Sequence, residues 1–226
     1  MRAFINQYAD KRIIDGLYKQ GFDIVLLPPF DALCPPVSTH ADMLICYVES
    51  SMFIHKDYPL DMSAFANITR IDEPISQKYP NDVLMNIAIV GKNVFANTNH
   101  ASKTILEHLK TNGYSICHIS QGYAHCSTCI VSDNAIITAD DIIAREAVRI
   151  GIDTLKISSG HVSLPPYEYG FIGGATGVTE DAVYFCGSLS YHPDGAKIQE
   201  FIKAHRKEVL ELIDGPLMDV GGILFI

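Results

Sequence analysis

The chain lacks the features that would assign it to several large functional classes. No apolar run approaches the ~20 residues needed to cross a bilayer, so no membrane span is expected. There is no Ser/Gly tract, low-complexity segment or block of like charge to mark a linker. The chain is also short of base: 17 Lys+Arg against 26 Asp+Glu give a formal net charge of −9. A nucleic-acid partner is therefore not expected, because holding a phosphate backbone takes a basic face. The first ten residues lack the apolar core of a signal peptide, which points to a cytoplasmic protein. Its six cysteines (Cys34, Cys46, Cys117, Cys126, Cys129 and Cys186) are then expected as reduced thiols.

What is present is a recurring hairpin followed by a helix. Met43–Val48 turns at Glu49-Ser50 into Met52–His55, and Val83–Val90 turns at Gly91-Lys92 into Val94–Ala96. Ser127–Val131 turns at Asp133-Asn134 into Ala135–Thr138, and Phe171–Val178 turns at Glu180-Asp181 into Ala182–Cys186. Helical stretches follow at Ala101–Leu109, Asp141–Ile150 and Gly195–Leu210, the first two closed by Gly113 and Gly151. Each leads to a short strand: Tyr114–Ile119, Thr154–Ile157 and Glu211–Ile213. After the first hairpin, Tyr58–Pro80 is irregular, with only Ala64–Ile68 as a short helical candidate. The chain opens on a helix and strand without a hairpin, Asp10–Lys19 and Asp23–Leu27. It closes on a lone apolar strand, Val220–Ile226. Joined, the two ends complete a fifth unit. Units spaced roughly 40–50 residues apart that cannot bury their apolar faces alone imply one α/β domain over residues 1–226. The expected architecture is a five-unit pseudo-symmetric propeller with its closing unit shared between the termini.

This arrangement resembles the pentein fold of the guanidino-group-modifying enzymes: arginine deiminases, dimethylarginine dimethylaminohydrolases, amidinotransferases and agmatine deiminases. In the third unit those enzymes carry a histidine followed by a small-residue strand, and this chain has His125-Cys126-Ser127-Thr128. They also place carboxylates that clamp a guanidinium at the start of the first two units, where Asp42 and Asp82 stand. The resemblance implies a small guanidino or amine compound as partner. One departure is chemical. The enzymes' nucleophilic cysteine lies beside the closing strand, but here no cysteine follows Cys186 and the best-matching position is Asp219. The fold also includes the non-enzymatic translation initiation factor 6, so a non-catalytic, protein-binding pentein is the alternative.

In a ring of units, the residues before each inner strand face one mouth. Those residues are His40, Asp42, Asn81, Asp82, His125, the Tyr167–Gly174 loop and Asp219. Carboxylates there suit a guanidinium through paired hydrogen bonds, although Asp at such places is also an ordinary turn residue. His125 is the candidate proton shuttle, since histidine titrates near neutrality. Asp219 and Cys126 are candidate replacements for the missing nucleophile. Against Cys126, neighbouring strand residues point to opposite faces, away from His125. His40, Asp42, Asn81, Asp82, His161, Gly173 and Gly174 are candidate substrate-binding positions. No metal or cofactor is expected. Cys126 and Cys129 lie on opposite strand faces with no second cysteine pair, and the Gly170–Gly177 glycines precede a hairpin where a phosphate-binding loop would precede a helix.

Overall fold

The structure, a computed structural model, describes residues 1–61 and 65–226. It contains five three-stranded sheets of one design and a two-stranded link. In each of the five, an antiparallel pair is extended by a third strand lying parallel to the central one. The sheets are Ile45–Val48/Ser51–His55/Ile68–Ile71, Ala88–Val90/Asn93–Ala96/Ser115–His118, Thr128–Ser132/Ala135–Thr138/Asp153–Lys156 and Thr176–Val178/Ala182–Phe185/Glu208–Glu211. The fifth joins the termini: Arg2–Asn6 is its centre, antiparallel to Leu224–Phe225 and parallel to Asp23–Leu27. Arg2–Asn6 is a strand that hydrophobic periodicity does not reveal, because four of its five residues are buried and no alternation survives.

Helices make the parallel crossovers in four sheets: Lys11–Lys19, Lys103–Thr111, Asp141–Arg149 and Gly195–Ala204. Their local chemistry is plain. Asp10, Ser102 and Asp140 cap the first three by accepting backbone N–H groups. Gly21, Gly113 and Gly151, with φ of +85°, +78° and +83°, follow those helices. Each helix buries residues four apart, such as Ile13 with Leu17 and Ile198 with Ile202. The fourth helix has no glycine behind it. It ends at Ala204 rather than Leu210, and Arg206 takes the left-handed φ of +61° instead. The expected helical stretch Ala64–Ile68 starts at a residue outside those described, and Ile68 itself opens a strand.

The inner strands are shorter than their apolar runs. Ile45, Ala88 and Thr176 begin strands expected to start at Met43, Val83 and Phe171, and the last strand is only Leu224–Phe225. The preceding residues are curled into tight turns, the first being the short helix Ala41–Leu44. Backbone bonds Met43 N to His40 O, Asn86 N to Val83 O, Thr128 N to His125 O and Thr176 N to Gly173 O close them. Residues Asp42, Asn86, His125 and Gly173 therefore stand on turns at the strand entrances.

The termini are locked by Arg2 N donating to Ile226 O at 2.6 Å and Ile226 N donating to Arg2 O at 2.9 Å. Ile13 and Leu17 pack in one cluster with Val220 and Ile223. Replacing the fully buried Ile13 by alanine should cost about 2–5 kcal/mol in chemical denaturation. Tyr18→Ala on the exposed face of the same helix should change stability by less than about 0.5 kcal/mol. Equal effects would mean that the helix does not close the fifth unit.

Candidate functional site

A cavity of ≈ 340 Å³ lies among the strand entrances, lined by residues of all five hairpin strands: Ile45–Tyr47, Ile87 and Ile89, Thr128 and Ile130–Ser132, Thr176–Val178, and Leu224–Phe225. Asp42 and His125 stand at the turn end, with Gly173, Gly221 and Gly222. Lys207 and Asp133 line its opposite, hairpin-turn end.

Asp42 is buried, and neither of its carboxylate oxygens has a hydrogen-bond partner of normal geometry; the nearest donors that favour its ion are the Cys126 thiol and the backbone N–H groups of Asp42 and Met43. Its position is set by the backbone, through Asp42 N donating to Gly221 O at 3.0 Å and Asp42 O accepting from Asn86 Nδ2 at 3.2 Å. Asn86 ties three units together. Its Nδ2 also donates to Cys126 Sγ at 2.8 Å, and its Oδ1 accepts from His125 N at 2.7 Å and Cys126 N at 3.2 Å. The sequence reading favoured Asn81, which is exposed, over Asn86, which is 1 % exposed. The available signal was an amide inside the apolar run Val83–Val90, since a buried amide demands partners.

Asp219 is held differently. Oδ2 accepts from Phe171 N at 2.8 Å, Oδ1 accepts from Gly221 N at 2.9 Å, and His40 Nδ1 lies 3.7 Å from Oδ1. A Cβ at Gly170 or Gly174 would run into this carboxylate, one at Gly221 into His40, and one at Gly173 into the carbonyls of His125, Cys126 and Thr128. Gly173 and Gly174, candidate substrate-binding positions from the sequence, thus give room to the protein's own backbone and carboxylate. Asp82 stands apart from this cluster. Its Oδ2 accepts from Tyr123 OH at 2.7 Å, while its buried Oδ1 has no partner. Tyr123 leads into an aromatic set with Tyr79 and Phe171, centroids 5.5 and 6.0 Å away. His161 is exposed and lines a different cavity.

Burial governs the proton states. It drives the Asp42 carboxyl well above the ordinary range, and the neighbouring Asp219 charge pushes the same way. Asp219 is also raised by burial, but His40 and its two backbone donors favour the ion. Of the pair, Asp42 therefore holds the proton more firmly. Burial, then the two carboxylates, raise the Cys126 thiol well above its usual value. His125 is pushed down to about 4 by burial and is neutral, with Nδ1 unpartnered. Among the described residues, no three His, Cys, Asp or Glu side chains are grouped to hold a metal, all six cysteines are free, and no helix is long and apolar enough to cross a membrane.

Solved structures of low sequence identity share this architecture. A cysteine-to-serine mutant of DDAH from Pseudomonas aeruginosa, complexed with citrulline, matches at a TM-score of 0.60 and 11% identity, over 94% of this chain and 91% of that one. The amidinotransferase SxtG from Microseira wollei matches at a TM-score of 0.56 and 10% identity, over 93% and 78%. Agmatine deiminase from C. jejuni matches at 0.52 and 10%, over 93% and 87%. No curated protein matches. These likenesses show the pentein fold, and at such identities the fold alone. A family model described as "Family of unknown function (DUF6873)" matches residues 4–224, and the chain belongs to that family.

Proposed function

We propose that this chain is a single-domain pentein, its five sheets set around one pseudo-fivefold axis, that takes a small guanidino or amine cation in the central cavity. One observation carries the reading: Asp42 is among the residues lining the cavity, and its buried carboxyl has no hydrogen-bond partner on either oxygen. A buried polar group left open costs about 1–3 kcal/mol, more if charged. Once the side chain turns its oxygens into the cavity, two adjacent N–H donors of a guanidinium or ammonium compound would pair with them. The agmatine deiminase of the same fold is named for a guanidino amine, which supports the same compound class. The alternative of a protein-binding module leaves the open carboxylate unexplained.

In this reading Asp42 anchors the cation, and its proton leaves as the cation arrives. His125, neutral and open at Nδ1, moves protons at the reacting group when the bound compound is turned over by hydrolysis or transfer. Asp219 positions the wall. Both of its oxygens already accept backbone hydrogen bonds, so it is a poor candidate for activating water. Cys126 stays a thiol between two carboxylates, which disfavours a covalent route. Asp82 lies behind Tyr123 and supports the aromatic side of the mouth.

Four measurements test this. Asp42→Asn keeps the shape and removes the charge, so it should abolish ligand-induced thermal stabilisation by agmatine or arginine derivatives. Loss of one member of such a buried pair costs about 3–5 kcal/mol. An unchanged shift would remove Asp42 as the anchor. The affinity should rise with pH, because the cation needs the Asp42 anion and the empty site holds the acid. Calorimetry in buffers of different ionisation heat should therefore record proton release on binding, and equal heats in all buffers would contradict the assignment. Relative to His125→Asn, the unliganded protein should lose stability on the order of 3 kcal/mol as pH falls from 6.5, the histidine's ordinary value, toward 4, because His125 folded neutral must take a proton. The raised Asp42 and Asp219 carboxyls act in the opposite sense and cancel in that comparison. Any turnover should survive thiol alkylation. Citrulline formation traced to Cys126 would overturn the non-covalent route.

A further inference from the structure

The central cavity has two ends, and they are closed differently. At the strand entrances one lining residue per unit marks the first end: Asp42, Met85, His125, Gly173 and Gly221, all buried except the half-buried His125. Hydrogen bonds cross every junction between units there. Asn86 of the second unit bonds Asp42 O of the first and His125 N of the third. Gly174 N of the fourth donates to Cys126 O of the third at 3.1 Å. Val220 N of the fifth donates to Gly174 O, and Asp42 N to Gly221 O completes the circuit. The backbones meet so closely that a Cβ at Gly173, Gly174 or Gly221 would strike a neighbour.

At the hairpin turns the backbone bonds stay within units: Met52 N to Asn67 O, Ser115 N to Lys92 O, Asp153 N to Asn134 O and Glu208 N to Asp181 O. Neighbouring units touch there through the Lys92–Glu49 ion pair, whose partners are both exposed, and through the close approach of Gly91 to Asp133 O. The lining residues at this end, again one per unit, are Tyr47, Ile89, Ser132, Val178 and Phe225, all half-buried, and the neighbouring Asp133 is exposed. The cavity therefore meets solvent at the hairpin turns and is blind at the strand entrances. Between the ends Ile45, Ile87, Ile130 and Ile223 give it an apolar wall. Beside the opening, the Lys207 ammonium donates to Thr179 O and Glu180 O, and Asp133, Glu180 and Asp181 surround its charge. An entering anion meets more acid than base there.

We propose that ligands enter the central cavity through a portal at the hairpin turns, rimmed by Tyr47, Ile89, Ser132, Val178 and Phe225, and that the ligand is an unbranched cation that goes in head first and lays its apolar chain along the isoleucine wall. The ligand class rests on Asp42 as the anchor; the portal does not. Thiols placed on the inner wall by Ile87→Cys and, separately, Ile130→Cys report access, read by peptide mass spectrometry after treatment with methyl methanethiosulfonate. Cys129, 1% exposed and not part of the cavity lining, should stay unlabelled, which excludes labelling through unfolding. Labelling of the placed thiols should slow by about tenfold or more when Ile89→Trp fills the portal, since the reagent then waits for a local opening. If that variant does not fold, Ser132→Trp takes its place. Tyr169→Ala, which loosens the aromatic contact with Phe171 at the strand entrances, should leave the rate unchanged. No labelling, an unchanged rate in the portal variants, or faster labelling with Tyr169→Ala would each overturn the portal. Alkylguanidines from butyl to hexyl should protect the thiols at concentrations about three- to fourfold lower per added methylene, and hexanoate should not protect. Protection by hexanoate, or no gain with chain length, would overturn the ligand class. If no guanidine protects while the portal variants still slow labelling, the Asp42 anchor falls and the portal stands.

Discussion

The buried carboxylate of Asp219 is the interaction on which the rest of the site depends. It accepts from Phe171 N in the glycine-rich loop and from Gly221 N in the closing segment, and it faces His40 ahead of the first sheet. Parts of the fourth, fifth and first units thus meet on one side chain. Backbone bonds around it do the rest: Val220 N and Gly222 N donate to Gly174 O, and Asp42 N donates to Gly221 O. The carboxylate ends up where Gly170 and Gly174 have no side chain, so close packing and hydrogen bonding fix the same arrangement.

That staple explains why a chain without a cysteine beside its closing strand still presents a shaped cavity. Asp219 is committed to structure, and Asn86 is committed to holding Asp42, His125 and Cys126 in register. Asp42 and His125 are then left among the lining residues with buried polar atoms that have no hydrogen-bond partner. Burial makes the Asp42 carboxyl hold its proton and the His125 imidazole shed its own, so the two groups that line this end of the empty cavity carry little charge. A cation entering such a place meets one carboxyl ready to ionise and a neutral base. A thiol held between two acids offers it no nucleophile.

The fold was legible in the chain to the extent that it rests on local chemistry. Helix caps at Asp10, Ser102 and Asp140, glycines after three helices and the apolar hairpins all carry their signals within a few residues. The reading failed where a neighbour overrides the local pattern. Arg2–Asn6 is buried by partners 21 and 220 or more residues away, so it shows no alternation. The runs at Val83 and Phe171 read as strands because turns packed in a core are as apolar as strands.

The sequence by itself determined the repeating units, the sharing of the last unit between the termini, and the acids and histidine standing at the strand entrances, because periodicity and turn residues act over short distances. Only the tertiary structure decided which of those residues meet. It separated Asp82 from Asp42, sent His161 to another cavity, and put Asn86 in the place expected of Asn81. It also set the proton states of Asp42, Cys126 and His125, because desolvation depends on what surrounds a group in space and leaves no mark on its neighbours in the chain.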